Sequence, residues 1–142
     1  MDHVVYLNFK ARELENLIAG NKSMIIRGAE GRKLPHGRVN TGDTLYFINN
    51  NGEGRIRAKG TVTSVLNSEK LSVEESFETI IRNQDKLQLP DDLFEKIAGK
   101  RYLVLIGLKS IEEIQPVPFN KSDFSCMDDW IPVGDISVLC PL

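Results

Sequence analysis

The residues in this chain whose types and spacing could do chemistry are mostly cations. In A-G-N-K-S-M-I-I-R, residues 19 to 27, Lys22 stands two places after a glycine and Arg27 closes the apolar run that follows. A lysine just past a helix end is stabilised by the negative pole of that helix by about 0.3–1 kcal/mol, so Lys22 taken alone needs no ligand. Arg27 lies five residues further on, and an extended chain separates the two by at most about 16 Å. They are therefore not simply one salt-bridged pair, and a ligand or a phosphate backbone could touch both.

Further cations follow. Arg32, Lys33 and Arg38 fall in a polar loop that also holds His36, and Arg55, Arg57 and Lys59 alternate with Ile56 and Ala58. Between Lys22 and Lys59 there are eight basic residues and three acidic ones, whereas the rest of the chain carries an acidic excess of seven. The net charge of -2 thus conceals a basic segment framed by an acidic body, to which an anionic partner would be drawn. Nucleic-acid sites of this kind complement their cations with aromatic platforms, worth about 1–3 kcal/mol per stacked base. Tyr46, opposite Leu45 and Phe47 on an alternating strand, is a candidate platform. Trp130 in W-I-P-V is another, although such a tryptophan more often anchors a core.

Other chemistries lack their residues. Cys126 and Cys140 form no C-x-x-C pair and have no histidine beside them, so they read as reduced thiols. His3 and His36 are isolated, and neither a metal site nor a cofactor is expected. G-A-E-G-R-K lacks the spacing of a phosphate-binding P-loop, and no G-x-S-x-G or H-E-x-x-H occurs. The apolar stretches fall well short of the roughly 18 residues of a membrane span, and the N-terminus lacks the basic region of a signal peptide. The expected compartment is the cytoplasm, with no membrane partner.

The elements that must hold the cations follow from periodicity. A chain of 142 residues and 16.0 kDa suits one domain, residues 1–142. His3 to Phe9 alternates as a strand, and Lys10 to Ala19 changes to helical spacing and ends at Gly20. Ser23 to Arg27 reads as a strand, followed by the glycine-rich loop Gly28 to Gly42. Thr44 to Asn49 and Arg55 to Leu66 flank Asn51-Gly52, a strong hairpin signal. Ser72-Val73-Glu74-Glu75 is a capping box opening a helix with Val73, Phe77, Ile80 and Ile81 on its apolar side. A second helical segment starts near Pro90, Arg101 to Leu108 reads as a buried strand, and Glu112 to Val117 extends the sheet until Pro116 and Pro118. Trp130 to Leu139 adds one or two short strands. Hairpin connections with helices outside them predict an α+β fold, a mainly antiparallel barrel with flanking helices.

L-I-A-G-N-K-S-M-I-I-R, then a basic loop, then V-N-T-G-D-T-L-Y-F, resembles the ASCH domain of the PUA-like superfamily of small RNA-associated barrels. The family pattern is a helix ending in G-x-K, two spacers, a glutamate, one spacer and an arginine, with a G-D turn into the next strand. Gly20, Lys22, Arg27, Gly42 and Asp43 match, and Ile25 occupies the glutamate position. The resemblance covers roughly residues 10 to 66 and beyond them rests on element order. It implies a PUA-like barrel that binds RNA or a nucleotide-like ligand in a cleft between barrel and helices, here through Lys22, Arg27, Arg32, Lys33, Arg38, Tyr46, Arg55 and Arg57.

The resemblance also brings an enzyme alternative. Some small ASCH proteins are amidohydrolases acting on acetylcytidine with a lysine, a threonine and a glutamate, and others are ribonucleases. Lys22 maps onto the lysine, but the nucleophile maps onto Ile25, which has no hydroxyl. Ser23 is displaced from that position by about 7 Å along the strand, and Glu74 is the acid that could accompany Lys22 and Ser23. The preferred reading is binding without hydrolysis; a protein–protein adaptor is a third. On the binding reading, replacing Lys22 and Arg27 by methionine should abolish binding and leave stability nearly unchanged.

Overall fold

The Asn51-Gly52 hairpin organises the sheet. In the structure, a computed structural model that describes residues 1–124 and 128–135, β3 (Thr44–Asn49) and β4 (Arg55–Asn67) pair antiparallel across it. Gly52 and Gly54 both carry positive φ there, the conformation such a turn demands. Around this pair lie β1 (Asp2–Leu7), β2 (Met24–Ala29), β5 (Tyr102–Pro118) and β6 (Trp130–Gly134). Their order is β2-β5-β4-β3-β1-β6 in one sheet, and among the described residues four short α-helices flank it: α1 (Glu13–Ala19), α2 (Val73–Arg82), α3 (Gln84–Leu87) and α4 (Asp91–Ile97). This is the α+β half-barrel with flanking helices that the element pattern predicts.

Two features depart from the local reading. The β1–β3 pair is parallel, because the crossover through α1, β2 and the glycine-rich loop returns the chain in the same direction. The segments expected at residues 101–108 and 112–117 are one continuous strand, β5, bent by irregularities against β4; Ser110, with φ 54, lies within one of them, and such bulges let a long strand curl around a barrel. The two cysteines and any strand beyond residue 135 lie outside the described residues.

The sheet buries apolar side chains on both faces. Its concave side holds Leu7, Ile25, Phe47, Ile106 and Trp130 among others. On the convex side, Ile26, Leu103 and Leu105 pack under Ile80, Leu87 and Leu93 from the helices. A third cluster covers the far end, where Tyr46, Ile48 and Ile56 meet Phe119 and Ile131. The capping box of α2 forms as read, with Ser72 and Glu75 each accepting from the other's backbone N–H. That helix turns Ser76 and Ile80 inward, however, and leaves Val73 and Ile81 about 60% exposed. Ser76 is held there by a hydrogen bond from Gly99 N at 3.1 Å.

Candidate functional site

Alternation along β2 sends Met24 and Ile26 to the helix side and Ile25 and Arg27 to the concave side. Ile25 is completely enclosed, while Arg27 sits at the open seam between β2 and β1. There Arg27 Nη2 donates to Tyr6 O of β1 at 2.7 Å and Nη1 to Ile26 O at 2.9 Å. Its guanidinium lies over the ring of Trp130, 5.7 Å from the ring centre. The arginine thus stitches together two strands that share no ladder.

On either side of Arg27 the surface hollows. One cavity, about 210 Å³, is bounded by the glycine-rich loop at Lys33 and His36, by Tyr102 and by Trp130. A second, about 330 Å³, lies between β1, β2 and α4, with Tyr6, Glu13, Ile97 and Lys96 in its wall. Arg27, Gly28 and Asp129 line both, so the two hollows form one cleft with the guanidinium at its waist. The larger hollow lies between the sheet and the helices, and the smaller between the sheet and the glycine-rich loop.

Of the eight cations in the basic segment, five are matched by carboxylates. Lys22 pairs with Glu13, Arg32 with Glu69, Lys33 with Asp128, Arg57 with Glu53 and Lys59 with Glu112. Among the described residues Arg27, Arg38 and Arg55 have no carboxylate within ion-pair distance, and of these three only Arg27 lines either hollow of the cleft. Asp128 and Asp129, on the cleft wall, face Lys33 at 3.7 Å and Lys121 at 3.9 Å. Arg27 is left as a partly buried cation whose hydrogen bonds go to neutral carbonyls.

Lys22 does not line the cleft. It is 3% exposed, and its Nζ donates to Glu13 Oε2 at 3.2 Å and to Leu87 O at 2.8 Å. Burial pushes its pKa below the ordinary lysine value; the Glu13 carboxylate opposes that shift and Arg27 adds to it. Glu13 does reach the cleft, so the helix-end lysine acts on the site through its partner. Arg12, in the left-handed region at φ 55, turns the chain into α1 so that Glu13 Oε1 also accepts from Asn8 N at 2.9 Å.

The remaining sequence candidates are dispersed. Ser23 is exposed before β2, and Glu74 is exposed on the first turn of α2; neither lines the cleft. Tyr46 does face away from Leu45 and Phe47, but that face is covered by the third apolar cluster, and its edge meets Lys59 in a separate hollow with Thr44 and Thr61. Arg55 and Arg57 stand beyond the hairpin, and Arg32 lies over Tyr102 at 5.8 Å. Aromatic walls are instead supplied by Tyr102, edge-on to His36, and by Trp130, which is both core anchor and cleft wall.

His3, read from the sequence only as an isolated histidine, has partners that no sequence signal identifies. It is fully buried, accepts from Trp130 Nε1 through Nδ1 at 3.1 Å, and meets Asp43 Oδ2 through Nε2 at 2.9 Å. Because indole only donates, Nδ1 must accept and Nε2 carries the proton that goes to Asp43. Burial alone would raise the Asp43 pKa, but hydrogen bonds from Asn40 N and His3 outweigh it and hold the carboxyl below its ordinary value. The G-D turn is thus tied to the cleft wall through one imidazole. No local pattern signals a contact between residues 3 and 130.

No family model matches the chain, and no curated protein matches it. Among solved structures it is similar to an ASCH protein from Zymomonas mobilis, at TM-score 0.69 and 10% identity over 97% of this chain and 91% of that one. A serine-to-alanine variant of that protein superposes at the same TM-score over 98% of this chain and 96% of the other. The chain therefore has an ASCH-like fold. At this identity the likeness carries the fold alone. Among the described residues, no cluster of metal-ligating side chains occurs and no helix is long and apolar enough to cross a membrane.

Proposed function

We propose that the protein binds RNA or a nucleotide non-covalently in the cleft divided by Arg27. The observation that carries this reading is the state of Arg27 itself. A partly desolvated guanidinium compensated by Tyr6 O, Ile26 O and the ring of Trp130 still lacks the counter-charge that such groups normally gain, and an oxyanion supplies it with fork geometry. Two of its five N–H donors serve the carbonyls; the others are available to a phosphate. Hollows of a few hundred Å³ with mixed apolar and polar walls are the usual form of a small-ligand site. Tyr102 and His36 on one side and Tyr6 on the other put aromatic rings in the cleft lining, the kind of group on which bases stack.

Binding is favoured over hydrolysis by the same geometry. Ile25 holds the nucleophile position inside the core, Ser23 and Glu74 stand away from the cleft, and the Lys22 ammonium is enclosed by Glu13 and Leu87 O. A proton-abstracting lysine needs a hydroxyl within about 3 Å, and among the described residues the Lys22 Nζ hydrogen bonds go to Glu13 and Leu87 O instead. An amide nitrogen-15 titration with nucleoside 5′-monophosphates tests the reading. Shifts should concentrate at Tyr6, Arg27, Gly28 and Tyr102. Shifts confined to the Arg55–Lys59 face would place the ligand elsewhere and overturn it.

A further inference from the structure

Glu13 is an unusual wall for an anion-binding cleft, since a carboxylate there repels phosphate. Both of its oxygens are already fixed: Oε1 accepts from Asn8 N at 2.9 Å and Oε2 from Lys22 Nζ at 3.2 Å. A carboxylate oxygen accepts two hydrogen bonds, so one lone pair remains on each. Glu13 thus lines the larger hollow as a carboxylate fixed by one hydrogen bond on each oxygen, with acceptor capacity left on both. Ile26, Leu89, Leu93 and Ile97 add apolar walls to the same hollow.

Two amides complete the pattern. Asn8 Oδ1 accepts from Ala11 N at 2.8 Å and Asn50 Oδ1 from Phe9 N at 2.9 Å, which fixes the oxygen end of each side chain on backbone. Their amino ends form no hydrogen bond among the described residues, and both asparagines line the hollow. The wall thus combines the Glu13 carboxylate, an acceptor, with two side-chain amides whose amino ends can donate.

We infer that the larger hollow selects a guanine base, with Glu13 accepting from N1–H and the 2-amino group and an asparagine amide donating to O6. This assignment rests on the nucleotide reading above, with Arg27 on the phosphate. Guanine is the standard base that presents two adjacent donors on its pairing edge. Adenine and cytosine place a ring acceptor beside their single amino group, and uracil flanks one N–H with two carbonyls, so each would set a lone pair against the carboxylate. Such mismatches in a site built for hydrogen bonding cost more than lost contact alone.

The test is a calorimetric series on the full chain with the 5′-monophosphates of guanosine, inosine, adenosine, cytidine and uridine. Guanosine monophosphate should bind most tightly. Inosine monophosphate, which lacks only the 2-amino donor, should be weaker by about tenfold, the value of one hydrogen bond to a charged group. Glu13→Gln, checked for folding by circular dichroism, should remove the preference for guanosine over adenosine. Equal binding of all five would overturn the guanine assignment and leave the nucleotide reading standing. A preference that persists in folded Glu13→Gln would overturn the role given to Glu13. Absence of binding by every nucleotide would overturn the nucleotide reading and the assignment with it.

Discussion

Lys22 and Glu13 meet inside the protein, Nζ to Oε2 at 3.2 Å, with each side chain less than a tenth exposed. This pair changes what Lys22 can be. It is a hub joining α1, the end of α3 and the start of β2, and it holds Glu13 in the cleft wall.

Removal of one partner of such a pair strands the other charge in a poorly solvated place. Lys22→Met should therefore cost about 3–5 kcal/mol, read as a fall in the urea midpoint at unchanged slope. This replaces the expectation that methionine at Lys22 leaves stability nearly unchanged, because Lys22 is buried against Glu13 rather than lining a cleft. Combining Lys22→Met with Glu13→Gln should recover part of the loss, because the stranded carboxylate is gone.

The Asp43 carboxyl is held below its ordinary value of 3.8 by Asn40 N and His3. A depressed acid stabilises the fold at pH above its unfolded value, and the gain disappears as pH falls through the folded value. Acid titration of stability should show this loss beginning near pH 3.8 and continuing below it. Asp43→Asn should be less stable at neutral pH and should lack that component of the acid limb.

Arg55 and Arg57 lie outside the cleft, and Arg57 is already paired with Glu53. Screening over a Debye length of about 8 Å at physiological salt leaves them little influence on a ligand at Arg27. Alanine at either position should change nucleotide affinity by no more than about twofold in an anisotropy titration.

Purified protein incubated with acetylcytidine should release no acetate. Ile25, at the place where the resemblance sets the nucleophile, is packed within the barrel interior, so Ile25→Thr would introduce the hydroxyl only into an enclosed site.

What was legible in the sequence was what short-range chemistry decides. The Asn51-Gly52 turn, the Ser72–Glu75 box and the alternation of β2, β3 and β4 depend on neighbours within a few residues, and each appears in the structure. The ASCH-like half-barrel followed from their order. Charges behaved differently, because a count of cations carries no information on their partners: Arg32 finds Glu69 and Lys33 finds Asp128, both far along the chain. Tyr46 faces as alternation requires, yet the outer face of β3 is roofed by Phe119 and Ile131, so facing away from one core meant entering another. The environments of Lys22 and His3 were illegible for the same reason, since their partners, Leu87 for one and Trp130 for the other, are supplied by the finished fold.

The account turns on Arg27 as the cation that an anionic guest completes. The direct measurement is fluorescence anisotropy of a short labelled single-stranded RNA against wild-type protein and Arg27→Met, each across a series of salt concentrations. The variant loses bonds to two carbonyls and should remain folded at a cost of about 1–3 kcal/mol, which a parallel melt verifies. Wild-type affinity should fall steeply as salt rises, and folded Arg27→Met should bind at least about tenfold more weakly with a shallower salt slope. Equal affinities and equal slopes in the two proteins would contradict the account.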